Sequence, residues 1–214
     1  MKKSLLLLLL VGILVSDCRT PSIKGSGIAS SEERETGYVS RIDVRGNYVI
    51  DVTCGKTNSL KIDAEDNILP LLETKVDNEK LTIKSTQPIT ALREIKISIT
   101  THTLEQIVSK GKSDIYVRGL KSDKLDVSLD GEGIITLEGN VGDFNLSLDG
   151  DSQVMAKDLM AKKTKVSLYG DGKAEIFTSK YLDASVKGQG VIDYYGNPEE
   201  IRIIASKGGS VNKK

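Results

Sequence analysis

The stretch LDVSLDGEGIITLEGN, residues 125–140, sets an apolar side chain at every second position, turns at a glycine and resumes the alternation. A period of two marks strands with one buried face. Nearly the same phrase returns as FNLSLDGDSQVMAKD at 144–158 and as TKVSLYGDGKAEIFT at 164–178. The corner glycines Gly111, Gly131, Gly150, Gly170 and Gly188 stand 20, 19, 20 and 18 residues apart. Four and six places after them come Ile115 and Val117, Ile135 and Leu137, Val154 and Ala156, Ala174 and Ile176, Ile192 and Tyr194, all apolar or aromatic. Before the later corners the triplets Leu125/Val127/Leu129, Phe144/Leu146/Leu148, Thr164/Val166/Leu168, Leu182/Ala184/Val186 and Ile201/Ile203/Ala205 keep the same register. The positions between them are mostly polar, as in Asp126, Ser128, Asn145 and Ser147.

A unit of two short strands cannot bury its own apolar face, because two strands alone are marginal in water. Stacking like units solves this, each resting on the next at roughly 4.8 Å. The expected fold is therefore all-β: a β-solenoid, parallel β-helix-like, with rungs of about 18–20 residues. Glycine suits each corner because a sharp reversal needs positive φ. An antiparallel meander also explains the alternation, but not its recurrence at a fixed interval. The register fades near Ile107 and beyond Lys207, as terminal repeats do. Residues 38–104 hold further strands without a clean period, among them RIDVRGNYVIDV, SLKIDA, KLTIKS and REIKISIT. Only 67–74 and 103–108 could carry a helical turn, and Pro70 keeps the first short.

Residues 1–17 read as a signal peptide: Lys2 and Lys3, then an apolar run from Leu5 to Val15 that is too short for a bilayer span of about 20 residues. Without them the chain keeps 28 of its 30 basic and 29 of its 30 acidic residues, so it is nearly neutral. That balance, with no Trp and only Phe144 and Phe177, gives no basic stripe and few stacking platforms, and argues against nucleic acid. LVSDC resembles a bacterial lipoprotein signal, which puts the lipid on Cys18. Asp17 departs from that pattern, where a small residue normally precedes the Cys. Ordinary cleavage near Ser16, leaving Cys18 free to pair with Cys54, is the alternative. With Cys18 lipidated, Cys54 is a lone thiol behaving as a small buried residue. Residues 18–37, rich in Ser, Gly and charge, read as a lipid-anchored flexible tether, and 38–214 as the solenoid domain.

The mature chain resembles, from about Ile23 to Ser206, the bacterial family called "putative auto-transporter adhesin, head GIN domain". Gly25-Ser26-Gly27, the strand pair around Gly46, DNILPLLETKV at 66–76 and EKLTIK at 79–84 carry the likeness. Departures are Ile28, where the family usually has Asn, and Cys54 in a polar turn. The resemblance implies a β-helix-like domain exported to the cell envelope, often with a lipoprotein signal, and brings no catalytic residues and no cofactor.

Candidate chemistry is sparse. His102 is the only histidine and reads as a solvated loop residue rather than a triad member. GDGKAE at 170–175 lacks phosphate-loop spacing. Stacked corners gather Asp130, Glu132, Asp149, Asp151 and Asp171 on one edge, where a hard cation would relieve their repulsion. Against that, Asp and Glu suit solvated turns, and Lys110, Lys112 and Lys187 flank them. The expected function is a non-catalytic adhesin or binding and scaffold module, anchored in the cell envelope by its N-terminal lipid. Arg19 lacks the acidic character of an inner-membrane retention signal and favours the outer membrane. A long regular face suits a glycan or an envelope protein, with Tyr116, Tyr169, Tyr181 and Tyr195 turned outward. Two alternatives stand beside it. One is a polysaccharide lyase or hydrolase working with paired carboxylates, opposed by short rungs and the absence of long loops. The other is a structural spacer forming a homo-oligomer through an open edge strand.

Overall fold

In the computed structural model, which describes residues 21–214, the repeat closes into coils. Sixty-seven per cent of the described residues lie in strands, and the only helix among them is the 3₁₀ turn Leu69–Leu71. The expected β-solenoid is the fold: Gln106–Gly111 lies parallel on Asp126–Gly131, that on Asn145–Gly150, then Lys163–Tyr169, Tyr181–Lys187 and Glu200–Ala205. A second face stacks Asp114–Arg118, Ile134–Thr136, Gln153–Ala156, Lys173–Phe177, Val191–Tyr195 and Ser210–Lys213. A short third side joins them, Leu120–Ser122 on Gly139–Val141 on Leu159–Ala161.

All ten positions counted after the corner glycines point inward, none above 6 % exposed. The triplets from Leu125 to Val186 are buried as well. Parallel stacking places like residues on like, so each column, such as Ile107–Val127–Leu146–Val166–Ala184, runs unbroken along the axis. Thr164 is the polar member of its triplet and is fully buried; its hydroxyl donates to the Phe177 carbonyl at 3.3 Å.

The corners need glycine for a second reason besides φ. At Gly150 (φ +95°) a Cβ would lie 2.8 Å from the Gly131 carbonyl oxygen one rung below, and the same clash recurs at Gly111, Gly131, Gly170 and Gly188. Coils separated by one strand spacing leave no room there for a methyl group. Two residues on, buried hydroxyls take over. Ser113 Oγ donates to the Gly46 carbonyl at 2.9 Å, and Ser152 Oγ to that of Gly131 at 2.8 Å.

The less periodic region has its own logic. Arg41–Gly46 and Val49–Cys54 form a coil lying between two later ones: Lys80–Ser85 and Lys96–Thr101 on one side, Gln106–Gly111 and Asp114–Arg118 on the other. Spatial neighbours there are not sequence neighbours, so no fixed interval survives. Antiparallel strands close this end: Ser59–Glu65 on Lys96–Thr101, and Leu72–Asp77 on Lys80–Ser85.

Residues 18–37, expected as a flexible tether, need correction over part of their length. Ile23–Lys24 pairs parallel with Ile89–Thr90, and Ala29–Arg34 pairs antiparallel with Ser59–Glu65. An edge strand with water on its outer side needs no apolar alternation, so ASSEER looked like linker. The signal peptide and Cys18 lie outside the described residues.

Candidate functional site

The acidic corner assembles in register but not into a cage. Lys110, Asp130, Asp149, Tyr169 and Lys187 occupy one column. Lys110 Nζ approaches Asp130 at 3.7 Å and Lys112 Nζ approaches Glu132 at 2.5 Å. Asp171 accepts the Gln189 amide at 3.3 Å. Asp130, Glu132, Asp149, Asp151 and Asp171 are all exposed. Among the described residues, no group of three or more His, Cys, Asp or Glu is placed to hold a metal ion.

His102 is exposed, with Nδ1 3.3 Å from Asn58 Oδ1 and its ring 6.2 Å from that of Tyr38. Among the described residues neither a nucleophile nor a carboxylate bonds to it. Among the described residues Cys54 has no disulfide partner; it packs against the core, and burial pushes its pKa up to about 11. A thiol so held is a weak nucleophile at neutral pH.

The first face presents its outward side chains in columns along the axis. Outward positions form a polar column, Gln106–Asp126–Asn145–Lys165–Asp183–Arg202, in which Asn145 donates to Asp126 at 2.8 Å. Beside it runs a column of small hydroxyls, Ser128–Ser147–Ser167–Ser185. Between them lies a shallow trough of about 380 Å³ that reaches Tyr169, 43 % exposed. Lys187 Nζ sits 5.2 Å above the Tyr169 ring. The other tyrosines do not join it: Tyr116 stands beside Thr136 on the second face, Tyr195 next to Phe177, and Tyr181 in the column of Lys163.

Two features escaped the sequence. Glu65 is fully buried, its carboxylate accepting the amides of Gly27 at 2.7 Å and Leu92 at 2.9 Å. It fills the place where a Cβ on Gly25 would go. Ser26 Oγ donates to Asp66 at 2.5 Å, Ser26 N to Asn67 Oδ1 at 2.9 Å, and Asn67 Nδ2 to the Lys24 carbonyl at 2.8 Å. Gly25-Ser26-Gly27 and Asp66-Asn67 are thus two halves of one clasp, a structural reason for the pieces that carried the resemblance. The second feature is the last described rung, where Ile201, Ile203 and Ile204 are 46 %, 43 % and 50 % exposed.

The fold and its surfaces together define a β-solenoid of stacked parallel coils with, among the described residues, no cluster built for metal chemistry. The family described as "Putative auto-transporter adhesin, head GIN domain" matches residues 39–198, and the chain belongs to it. No curated protein matches the chain. Among solved structures, a protein described as a putative adhesin from Bacteroides fragilis superposes with a TM-score of 0.74 at 24 % identity, over 90 % of this chain and 100 % of that one. A putative adhesin from Parabacteroides merdae gives 0.58 at 17 % identity, over 91 % and 100 %. A protein from Parabacteroides distasonis described as a putative lipid binding protein gives 0.58 at 18 %, over the same shares. At these identities the likeness establishes the fold. The family is described as a putative adhesin, which fits a binding module and points to a surface- or envelope-exposed protein.

Proposed function

We propose that residues 1–17 export the chain, that Cys18 carries a lipid holding it at the outer membrane, and that the solenoid acts there as a non-catalytic adhesin for a glycan or an envelope protein. The observation that carries this reading is the first face, where hydroxyls of Ser128, Ser147, Ser167 and Ser185 repeat at a strand spacing of roughly 4.8 Å beside a polar column and the exposed Tyr169. A repeating, shallow, polar surface suits an extended polymer better than a small substrate, which needs a concave site. Tyr169 supplies the one broad apolar plate beside the trough, on which a sugar ring or an aromatic side chain can lie.

The test is capture of envelope glycans and proteins on immobilised residues 21–214, beside Tyr169→Ala and Lys165→Glu. Binding that drops about tenfold in Tyr169→Ala supports the reading. Retention unchanged in both variants contradicts it. The anchor is tested separately: mass spectrometry of the membrane-extracted chain should show a lipid on Cys18, and Cys18→Ser should release the chain from the membrane fraction.

A further inference from the structure

We propose that two copies of this chain join end to end through the rung of Glu200–Ala205, which pairs antiparallel with the same strand of the second copy about a two-fold axis. This goes beyond the adhesin reading and does not depend on any ligand.

Among the described residues Glu200–Ala205 is bonded on one side only, to Tyr181–Lys187. All six of its residues are exposed, including Ile201, Ile203 and Ala205, which continue columns buried in every coil beneath. Ile203 stands on Ala184 and Val166, both within 1 % of full burial, yet is itself 43 % exposed. Ile204 adds an apolar side chain on the outward face, 50 % exposed. An apolar strand with a free ladder of amides and carbonyls is a template for another strand.

The shape of this surface selects the occupant. It is an exposed strand edge above a coil interior rather than a groove, so what covers it must carry a hydrogen-bonding edge and an apolar interior in the same cross-section. A second copy presents both. The opposite end of the solenoid cannot serve, because its outer strands, Ala29–Arg34 and Leu72–Asp77, carry Glu32, Glu33, Arg34, Glu73, Lys75 and Asp77. That excludes head-to-tail growth and leaves the closed, isologous dimer.

The strand is also self-complementary. Inward residues must meet inward residues, so the two-fold axis passes through a residue rather than between two. Centred on Ile203, the pairing sets Ile203 against itself, Ile201 against Ala205, and the Arg202 stem over Ile204. Arg202 already faces Asp183 at 4.0 Å in its own chain, so its charge stays compensated. Glu200 falls opposite Ser206, so no carboxylate meets another.

Residues 21–214 hold every strand described above and are the material for the test. Sedimentation velocity from about 1 to about 200 µM should show the mass rising towards twice the monomer's, as a small edge interface gives weak association. Ile203→Lys should stay monomeric while melting at the parent's temperature at low concentration, since its side chain is half in water. Ile28→Lys, which removes a 61 % exposed apolar residue elsewhere, should dimerise like the parent. Ile203→Cys should give a disulfide-linked dimer on mild oxidation, because the two-fold sets the two thiols opposite each other. A parent that is monomeric throughout, or association that survives Ile203→Lys, overturns the proposal. Because the readout is mass rather than ligand capture, its failure leaves the adhesin reading untouched.

Discussion

At one end of the solenoid Ala29–Arg34 and Leu72–Asp77 run antiparallel to the strands they cover; at the other Glu200–Ala205 continues the parallel stack. The first end puts charge on its outermost strands and folds Ile68, Leu69 and Leu72 inward as a plug. Arg34 fastens that plug, its guanidinium donating to the carbonyls of Leu72 at 2.6 Å and Leu69 at 3.1 Å. The second end leaves Ile201, Ile203 and Ile204 facing water. Repeating a rung does not terminate a stack. Termination takes a strand of opposite direction, charged edges and a plug, all of which break the repeat.

The contrast is sharpest within one column. Ile107 and Ile203 occupy the same inward position several rungs apart, fully buried in one case and 43 % exposed in the other. Ile107→Ala should cost about 3–4 kcal/mol in chemical denaturation, through lost transfer energy and the cavity left behind. Ile203→Ala should cost under about 1 kcal/mol when measured dilute. Equal losses would erase the difference between the ends.

Glu65→Ala attacks the clasp at the sealed end. It strands the Gly27 and Leu92 amides, so we expect a loss of about 2–3 kcal/mol and faster proteolysis of residues 21–34. Gly131→Ala, in the interior, should cost about 2 kcal/mol, since φ is +140° and the Gly111 carbonyl occupies the space.

Cys54 gives a smaller, pH-dependent effect. Its folded pKa, about 11, lies above a thiol's ordinary value of 9.0 because burial disfavours the thiolate. The unfolded chain therefore releases this proton first. The stabilisation is fully present below pH 9 and is lost as the pH rises towards 11. Cys54→Ala should flatten that alkaline slope, and the native thiol should react with an aromatic disulfide far more slowly than the thiol in urea. Smallest of all, millimolar calcium or chelator should leave the melting temperature within about one degree, because Asp130 and Glu132 face lysines.

From Gly111 onward the coils were legible because each sits on its sequence neighbour, which turns stacking into a countable interval. The coil at Arg41–Cys54 was not, since it rests on Leu81 and Ile107 rather than on the residues that follow it. Ala29–Arg34 was hidden by the very polarity that makes it a safe edge. Glu65 was hidden by its company, one carboxylate at the end of SLKIDAE, with Gly25-Ser26-Gly27 and Asp66-Asn67 the traces of its clasp. The small hydroxyls at 128, 147, 167 and 185 were visible as polar spacers, but their alignment in one column required the register.

Hydrogen exchange of dilute residues 21–214, read amide by amide, tests the asymmetry of the two ends most directly. Strands Asn145–Gly150 and Ser59–Glu65 should both be protected throughout, whereas alternate amides of Glu200–Ala205 should exchange within seconds. Full protection of Glu200–Ala205 in the dilute monomer, or rapid exchange across Ser59–Glu65, would contradict a solenoid sealed at one end and bare at the other.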